Sequence, residues 1–212
     1  HFDDELDGIR TDLVELGTMV LENVRHAGVV VIENRLDEIG AVRAADGPIN
    51  DRYHQLEEKV FQILALQQPV ASDLRFLVAA TRILYEMERS GDLAVNVVKQ
   101  VGRLDGIPAD STLTSIVGRL AHASASMFGR GVEAVATLDD AIGTGAESED
   151  ETTDRLTSEL FSAVTARQDA IGLEPAVGLF YIGRFFERIA DHGVNIAQNI
   201  TFVVTSRFPE DD

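Results

Sequence analysis

The sequence predicts an all-α protein of six helices, built as two tandem three-helix bundles. Apolar residues recur at steps of three and four over long stretches, and no stretch shows the alternation typical of strands. A nine-residue element, Glu-Arg-x-x-Asp-x-x-Val-Asn, occurs at residues 88–96 and again at 187–195, 99 residues later. Residues 102–110, with Gly106 and Pro108, form the one convincing linker. We therefore expect a first repeat over residues 1–104 and a second over 109–207.

The first repeat is predicted to contain three helices. Apolar residues at every third or fourth position indicate a first helix over residues 2–31. Residues 33–46 are expected to contain a bend, and a second helix is expected from residue 49 until just before Pro69. Ser72 is a suitable N-cap for a third helix, which ends near residue 101. The residues expected to interrupt a helix in the bend or directly after it are Gly40, Gly47 and Pro48.

The second repeat shows the same order. Residues 113–141 are predicted to form a long helix, and residues 143–149 a polar loop. A shorter helix over residues 150–167 and a last helix over residues 175–204 complete the repeat. Three helices in each half give the six-helix arrangement.

The third helix of each repeat is apolar on more than one side. A helix of this kind is buried by more than one neighbour. We therefore expect these two helices to join the halves near a pseudo-symmetric centre, with their carboxylates pointing away from the seam. The apolar residues of the second stripe are Ile83, Leu93 and Val97 in the first half and Ile182, Phe185, Ile189 and Ile196 in the second.

Charge and composition exclude several classes of function. The net charge is -18, with 36 acidic against 18 basic side chains, so a nucleic acid or an anionic membrane surface is not an expected partner. The absence of cysteine excludes disulfides and thiolate sites. Purely apolar runs, such as residues 29–32, are only a few residues long and cannot span a bilayer, so direct membrane insertion is not expected. No signal peptide is visible, although a chain that begins at His1 leaves a missing short leader open, and we expect a cytoplasmic protein.

Each copy of the repeated element places two carboxylates one helical turn apart, Glu88 with Asp92 and Glu187 with Asp191. Both pairs lie beside apolar residues of their helices. Like charges at this spacing destabilise a helix by about 0.2–0.5 kcal/mol, and partial burial raises that cost. A basic partner, protonation or a bound cation is needed to offset it.

A weaker repeat adds candidate ligands on the neighbouring helices. Asp46 and Asn50 are expected to open the second helix, and Asp150 and Asp154 the fifth. Each half then presents two oxygen-bearing pairs on adjacent helices, although acidic residues at a helix N-terminus also serve as caps. Because Asn50 replaces a carboxylate, we expect the second-half site to bind a cation more strongly.

Ion pairs are the alternative explanation for these carboxylates, and structural salt bridges are common between helices. Asn96 and Asn195 are expected either to orient the carboxylates or to hydrogen-bond a neighbouring helix. The arginines in position to pair with the carboxylates are Arg82, Arg89, Arg184 and Arg188.

Catalytic motifs are not evident. His192 points to the side of the seam, and its counterpart in the first half is Leu93, so a buried seam histidine is expected. No Glu-x-x-His pair occurs, which argues against a ferritin-like di-iron oxidase. No phosphate-binding loop or Ser/His/Asp arrangement is found either. We expect a protein that is not an enzyme and has no organic cofactor.

The repeated element, the opening segment over residues 1–20 and the segment over residues 64–83 together resemble the PhoU family, over nearly the whole chain. The resemblance implies a tandem of three-helix bundles that negatively regulates phosphate uptake and the phosphate-starvation response. It also implies two partners, the ATPase subunit of a phosphate ABC transporter and a membrane sensor histidine kinase.

The resemblance further implies cation sites, because some members bind iron or zinc through such carboxylates. The candidate ligands for iron, zinc or another divalent cation are Glu88, Asp92, Glu187, Asp191, Asp46, Asp150 and Asp154. A metal-storage or redox bundle and a regulator of a different ion transporter remain as alternatives. The sequence also leaves a homodimer open.

Overall fold

A computed structural model describes residues 2–207, without the side chains of residues 144 and 147–150. In these residues the chain forms six α-helices and one short 3₁₀ helix, and it forms no strand. The all-α prediction is confirmed. The helices are α1 (Phe2–Glu33), α2 (Ile39–Gln67), α3 (Ala71–Arg103), α4 (Ser111–Thr137), α5 (Asp140–Ile171) and α6 (Leu173–Thr205), and the 3₁₀ helix spans Leu36–Glu38.

Four helices form a closed ring in the order α1, α3, α6 and α4, and each packs on its two neighbours. Helix α2 lies outside the ring against α1 and α3, and α5 lies outside it against α4 and α6. The predicted pair of three-helix bundles is therefore present. One apolar core runs through both, and it includes fully buried Phe128 of α4 and Phe186 of α6. Because the core is shared, the division of the chain near residues 104–109 stays a proposal.

Helices α3 and α6 run antiparallel through the centre of the molecule. Gly178, near the start of α6, lies against Leu104 just after the end of α3. Asn195, near the end of α6, donates a hydrogen bond to Glu86 of α3. The two copies of the repeated element thus lie on either side of a pseudo-twofold axis near Gly91. The expectation that the third helices join the two halves is confirmed.

Helix α2 begins earlier than its sequence predicts. The chain turns at Asn34, which has a φ of 49° and a side chain that bonds the backbone of Ile107 through both amide atoms. From Ile39 onward the chain is helical, and Pro48 lies inside the helix. A proline removes one backbone hydrogen bond, but burial of the helix face on either side of it holds the chain helical. The expected bend over residues 33–46 is therefore confined to the first few of them.

The predicted polar loop at residues 143–149 is wrong, because these residues belong to α5. The chain instead turns at Leu138, with a φ of 53°, and Asp139 caps α5 by accepting a hydrogen bond from the Ala141 amide at 2.9 Å. Gly143 is needed for packing, since a Cβ there would lie 2.8 Å from the carbonyl oxygen of Ala197 on α6. Glycine is favoured both in turns and where two helices come into close contact. The glycines of this segment therefore could not distinguish a loop from a packed helix.

The predicted cap of α3 is also wrong. The N-cap position is Val70, which makes no side-chain hydrogen bond to the helix, and Ser72 lies in the first turn. Gln68 and Ala71 both have positive φ angles of 48° and 51°. The backbone geometry of this connection, rather than a capping side chain, sets where α3 begins.

Candidate functional site

The first candidate site lies where α2 approaches α3. Asp46 of α2 faces Gly91 of α3, since a Cβ at Gly91 would lie 3.7 Å from Asp46 Oδ1. Glu88 and Asp92 flank Gly91 on the same helix. Asp46 Oδ2 accepts a hydrogen bond of 3.1 Å from the Asn50 amide. Among the described residues, the buried Asp46 Oδ1 has no hydrogen-bond partner.

Negative charge is concentrated at this site. Burial raises the pKa of Asp46, and the nearby Asp92 raises it further. Burial likewise raises the pKa of Glu88, with further increases from Asp92 and Asp46. Arg89 is the local counter-charge, 3.6 Å from Glu88 and 3.5 Å from Asp92. Lys99 also lowers the pKa of Asp46, but burial and the neighbouring carboxylates keep both carboxyl pKa values raised.

A tyrosine borders the same site. The hydroxyl of Tyr53 on α2 donates a 2.7 Å hydrogen bond to Glu57. Burial, followed by Glu57 and Glu88, raises the pKa of Tyr53 to about 12. The tyrosine therefore stays neutral at physiological pH and adds no charge to the group.

The second candidate site lies between α5 and α6. Glu187 is largely buried, and its Oε2 lies 2.5 Å from the Arg184 guanidinium. This hydrogen bond raises the pKa of Arg184, and the charges of Asp191 and Asp154 raise it further. Asp154 of α5 therefore lies within electrostatic range of Arg184, the ion-pair partner of Glu187. The Asp150 side chain lies outside the described residues, so its relation to the site stays a prediction.

The acidic residues of α2 and α5 are not helix caps. Asp46 lies well inside α2, which starts at Ile39, and Asp150 and Asp154 lie well inside α5, which starts at Asp140. Stabilisation of a helix terminus falls off within the first turn, so it cannot account for these positions. The sequence interpretation in which Asp46 and Asp150 open their helices is wrong, and so is its capping alternative.

Oxygen donors of this type suit hard cations. The unpaired Asp46 Oδ1 and the raised carboxyl pKa values fit a cation at the first site. Across the described part of the chain, however, no three aspartate, glutamate or histidine side chains are grouped closely enough to hold a metal ion. A cation held here by the described side chains would need water or a partner to complete its coordination.

The carboxylates of both sites point away from the α3–α6 seam, as the sequence predicts. Glu88 faces Asp46 and Tyr53 of α2, and Arg184, which pairs with Glu187, lies within electrostatic range of Asp154 of α5. The salt bridges expected as the alternative are also present, from Arg89 in the first half and Arg184 in the second.

A buried polar network occupies the seam itself. His192 Nδ1 lies 3.0 Å from Ser90 Oγ and 3.1 Å from the Glu86 carbonyl oxygen, and Asn195 donates to Glu86 Oε1 at 3.2 Å. Burial lowers the pKa of His192 to about 4 and raises the pKa of Glu86. The seam position of His192 is confirmed, and Asn195 bonds the neighbouring helix.

Glu86 was missed by the sequence analysis. It falls on the apolar stripe that carries Ile83, Leu93 and Val97, and the equivalent position in the second repeat is Phe185. The sequence did contain a signal for Glu86, because it is a glutamate on a stripe of otherwise apolar residues. A carboxylate that faces the interior needs a hydrogen-bond partner there.

These features define a class of protein: a duplicated three-helix bundle whose third helices pair at the centre and carry an acidic face outward in each half. No described helix is long and apolar enough to cross a membrane. The PhoU domain model matches residues 13–101 and 117–200, one match in each half. The chain belongs to the PhoU family.

Individual relatives agree with this assignment. A Synechocystis protein named phosphate-specific transport system accessory protein PhoU homolog is 27% identical over 208 residues, which cover 98% of this chain and 92% of that protein. The Mycobacterium leprae PhoU homolog 1 is 36% identical over 167 residues, covering 77% of this chain and 74% of its own length. The crystal structure of PhoU from Pseudomonas aeruginosa superposes with a TM-score of 0.91 at 26% identity, covering 98% of this chain and 100% of that one.

Proposed function

We propose that this protein is a cytoplasmic accessory regulator of phosphate uptake, which acts as a protein-binding adaptor. The observation that carries the proposal is the Mycobacterium leprae relative, 36% identical and named as an accessory protein of a phosphate-specific transport system. A regulator of this kind needs binding surfaces rather than catalytic groups. The two outward acidic faces, one in each half, supply them.

The proposed partners are the ATPase subunit of the phosphate ABC transporter and a membrane sensor histidine kinase, both under negative control. With a net charge of -18, the chain favours partners that present a basic patch. Opposite charges speed diffusional encounter, and salt screens them.

Deletion and complementation test this function. We expect deletion of the gene to raise expression of a phosphate-starvation reporter in phosphate-replete cells, and the wild-type chain to restore repression. Purified chain should also bind the purified ATPase subunit or the kinase's cytoplasmic part, with an association rate that falls as salt rises. The proposal would be rejected by normal repression of the reporter in the deletion strain, or by an association rate that does not change with salt concentration.

We further propose that the acidic faces bind iron, zinc or another divalent cation. The candidate ligands are Glu88, Asp92 and Asp46 in the first half and Glu187, Asp191, Asp150 and Asp154 in the second. The sequence favours the second face because α5 carries two aspartates. The described contacts do not rank the two faces, because Asp46 Oδ1 and Glu187 Oε2 are both buried without a described hydrogen bond, although Arg184 forms an ion pair with Glu187.

Thermal unfolding with and without metal tests both faces. A ligand that binds only the folded state adds about 2.7 kcal/mol of stability at a hundredfold excess over its Kd. We expect Mn²⁺ or Zn²⁺ to raise the thermal unfolding midpoint of the wild type. Each double variant should lose the part of this increase that comes from its own site. The variants are Glu88→Gln with Asp92→Asn for the first site and Glu187→Gln with Asp191→Asn for the second. The control is Asp51→Asn with Glu58→Gln, which removes two exposed carboxylates of α2. Wild type that gains nothing from metal, together with site variants that are more stable without it, would show strained acidic patches instead.

A further inference from the structure

The outer side of the α1–α4 seam contains an open groove. Its volume is about 350 Å³, and it lies over the C-terminal part of α1 and the N-terminal half of α4. Gly28 and Ala121 meet at its floor, where a Cβ on Gly28 would lie 3.4 Å from the Ala121 Cβ. Val29 and Ile32 line it while 40% and 38% exposed. Small residues at the floor and exposed aliphatic side chains at the wall make the lining of the groove largely apolar.

The groove is local rather than continuous along the seam. Further along, Leu21 of α1 covers α4, since a Cβ at Gly129 would lie 3.3 Å from the Leu21 side chain. The open part therefore extends from Arg25 to Ile32, which corresponds to about 10 Å along a helix. Two turns of a second helix fit this length.

The charge of this face differs from that of the rest of the molecule. Two helical stripes border the groove without a carboxylate, although Glu133 continues the α4 stripe one turn beyond Gly129. Glu22 of α1 instead lines a different cleft, between α1 and α2. The groove is lined by one permanently charged side chain, Arg25, with His122 on the opposite wall. The two stripes consist of Thr11, Val14, Thr18, Leu21, Arg25, Val29 and Ile32 on α1 and Ser115, Gly118, His122, Ala125 and Gly129 on α4.

We propose that the groove is a docking site for an amphipathic helix of a protein partner, whose apolar ridge carries a carboxylate that pairs with Arg25. The apolar ridge matches the small-residue floor, because small side chains let a second helix approach closely. The partner's carboxylate matches Arg25, the one permanently charged side chain that lines the groove.

This site is separate from the acidic faces of the proposed function. Those faces lie on α2, α3, α5 and α6, whereas the groove is built from α1 and α4 alone. The two surfaces can therefore succeed or fail independently in an experiment.

The probe is an alanine-based helical peptide of about 18 residues, long enough to hold a helix in part. It carries one ridge of leucines with a single glutamate beside the ridge. Two matched peptides replace the glutamate with lysine or scramble the leucines. Fluorescence anisotropy measures their binding to the full chain. We expect saturable binding of the glutamate peptide, weaker binding of the lysine peptide and none of the scrambled one.

Variants at exposed positions locate the binding without disturbing the core. Ser126 is exposed and lines the groove, so Ser126→Trp should fill it and weaken binding about tenfold or more. Ser162→Trp, at an exposed position of α5, is the matched control and should bind as the wild type does. Arg25→Glu should reverse the preference, so that the lysine peptide binds better. Arg43→Glu controls for the change in net charge.

The outcomes separate the possible occupants. No saturable binding by the wild type, equal binding by Ser126→Trp, or an unchanged preference in Arg25→Glu would overturn the docking site. Vesicles of phosphatidylcholine and phosphatidylglycerol form a second arm. Vesicle binding that Ser126→Trp abolishes, without any peptide binding, would show that the groove meets a lipid surface and would also overturn the proposal. Repression of the starvation reporter is scored separately, so a failed groove does not count against the proposed function.

Discussion

Three side chains in the α3–α6 seam, Glu86, Ser90 and His192, break the likeness between the two repeats. Glu86 and Ser90 of α3 meet His192 and Asn195 of α6, while the equivalent of Glu86 is Phe185 and that of His192 is Leu93. One end of the seam is therefore polar and the other apolar. A buried polar network stabilises only the arrangement in which its hydrogen bonds are made, so it fixes the register of the two helices.

The low pKa of His192 predicts a pH dependence of stability. In the unfolded chain a histidine titrates near 6.5, whereas in the fold burial lowers the pKa of His192 to about 4. Below pH 6.5 the unfolded chain binds the proton and the fold does not. The contribution of His192 to the free energy of unfolding is therefore fully present above about pH 6.5 and is lost progressively as the pH falls towards 4.

His192→Leu, which installs the residue found in the first repeat, should remove this part of the pH dependence. Between pH 7 and pH 4, the free energy of unfolding should fall by about 1–3 kcal/mol more in the wild type than in the variant because of this histidine. Urea unfolding of both proteins at several pH values measures it. Glu86 has a raised pKa and acts in the opposite direction in both proteins, so comparison with wild type isolates the histidine. Parallel pH profiles for the two proteins would contradict the assignment.

At the residue scale, the sequence identified the carboxylates and the seam histidine but not their partners. Repetition singled out Glu88, Asp92, Glu187 and Asp191, and helical geometry placed them outside the seam. It could not show that Arg184 rather than Arg188 would pair with Glu187, because both arginines lie near Glu187 on the same helix. The contact between Glu86 and His192 depends on how α3 and α6 slide along each other, which no local pattern fixes.

At the scale of elements, close backbone contact between α4 and α6 depends on two glycines. A Cβ at Gly131 would lie 2.7 Å from the carbonyl oxygen of Gly193, and one at Gly193 would lie 2.6 Å from that of Met127. Side chains here would force the helices apart. Backbone atoms cannot move aside as a side-chain tip can, so the whole helix pair would have to shift.

Gly193→Ala should therefore destabilise the protein by about 1–3 kcal/mol, the usual effect of overfilling a packed interior. Gly145→Ala is the matched control, because no atom of the described residues lies within 4 Å of a Cβ at that position inside α5. It should be neutral or stabilising by about 0.5–1 kcal/mol, since alanine favours a helix over glycine. Chemical denaturation measures both. Equal effects from the two substitutions would mean that α4 and α6 are not in close contact.

The sequence predicted every long helix but misplaced two of their starting points. Apolar periodicity located the helices because burial of a face requires it. Gly40, Gly47 and Pro48 suggested a bend in α2, and the glycines at 143 and 145 suggested a loop in α5. These residues lower helix propensity by about 1–3 kcal/mol each, an amount that tertiary packing can offset. Helix propensity depends on residues that are neighbours in the sequence, whereas the packing that offsets it depends on the assembled ring of α1, α3, α6 and α4.

At the scale of the whole molecule, the two repeats share one core. Helix α1 packs on α4 and α3 packs on α6, so each repeat covers apolar surface of the other. A separated half would expose that surface to water. Cooperative folding of the entire chain follows from this arrangement.

Thermal or urea unfolding should therefore show a single transition, with the same midpoint by circular dichroism and by intrinsic tyrosine fluorescence. The isolated first repeat, residues 1–104, should show no cooperative transition as a monomer. Two copies of the isolated repeat could associate and cover each other's apolar surface. The unfolding midpoint of such a dimer would rise with protein concentration, which distinguishes it from a monomer. A monomeric half with a sharp transition would instead establish two independent domains.

The pseudo-twofold axis near Gly91 has a consequence for valency. Rotation about it brings one acidic face close to the position of the other, so a single chain presents the same kind of surface twice. A partner assembled as a true symmetric dimer can engage both faces at once, and its second contact then forms at high effective concentration. Two weak contacts would give a long-lived complex, and loss of either would release the partner. Asn50 lacks the charge of its counterpart Asp154, so the two faces differ in charge and the two contacts would differ in strength.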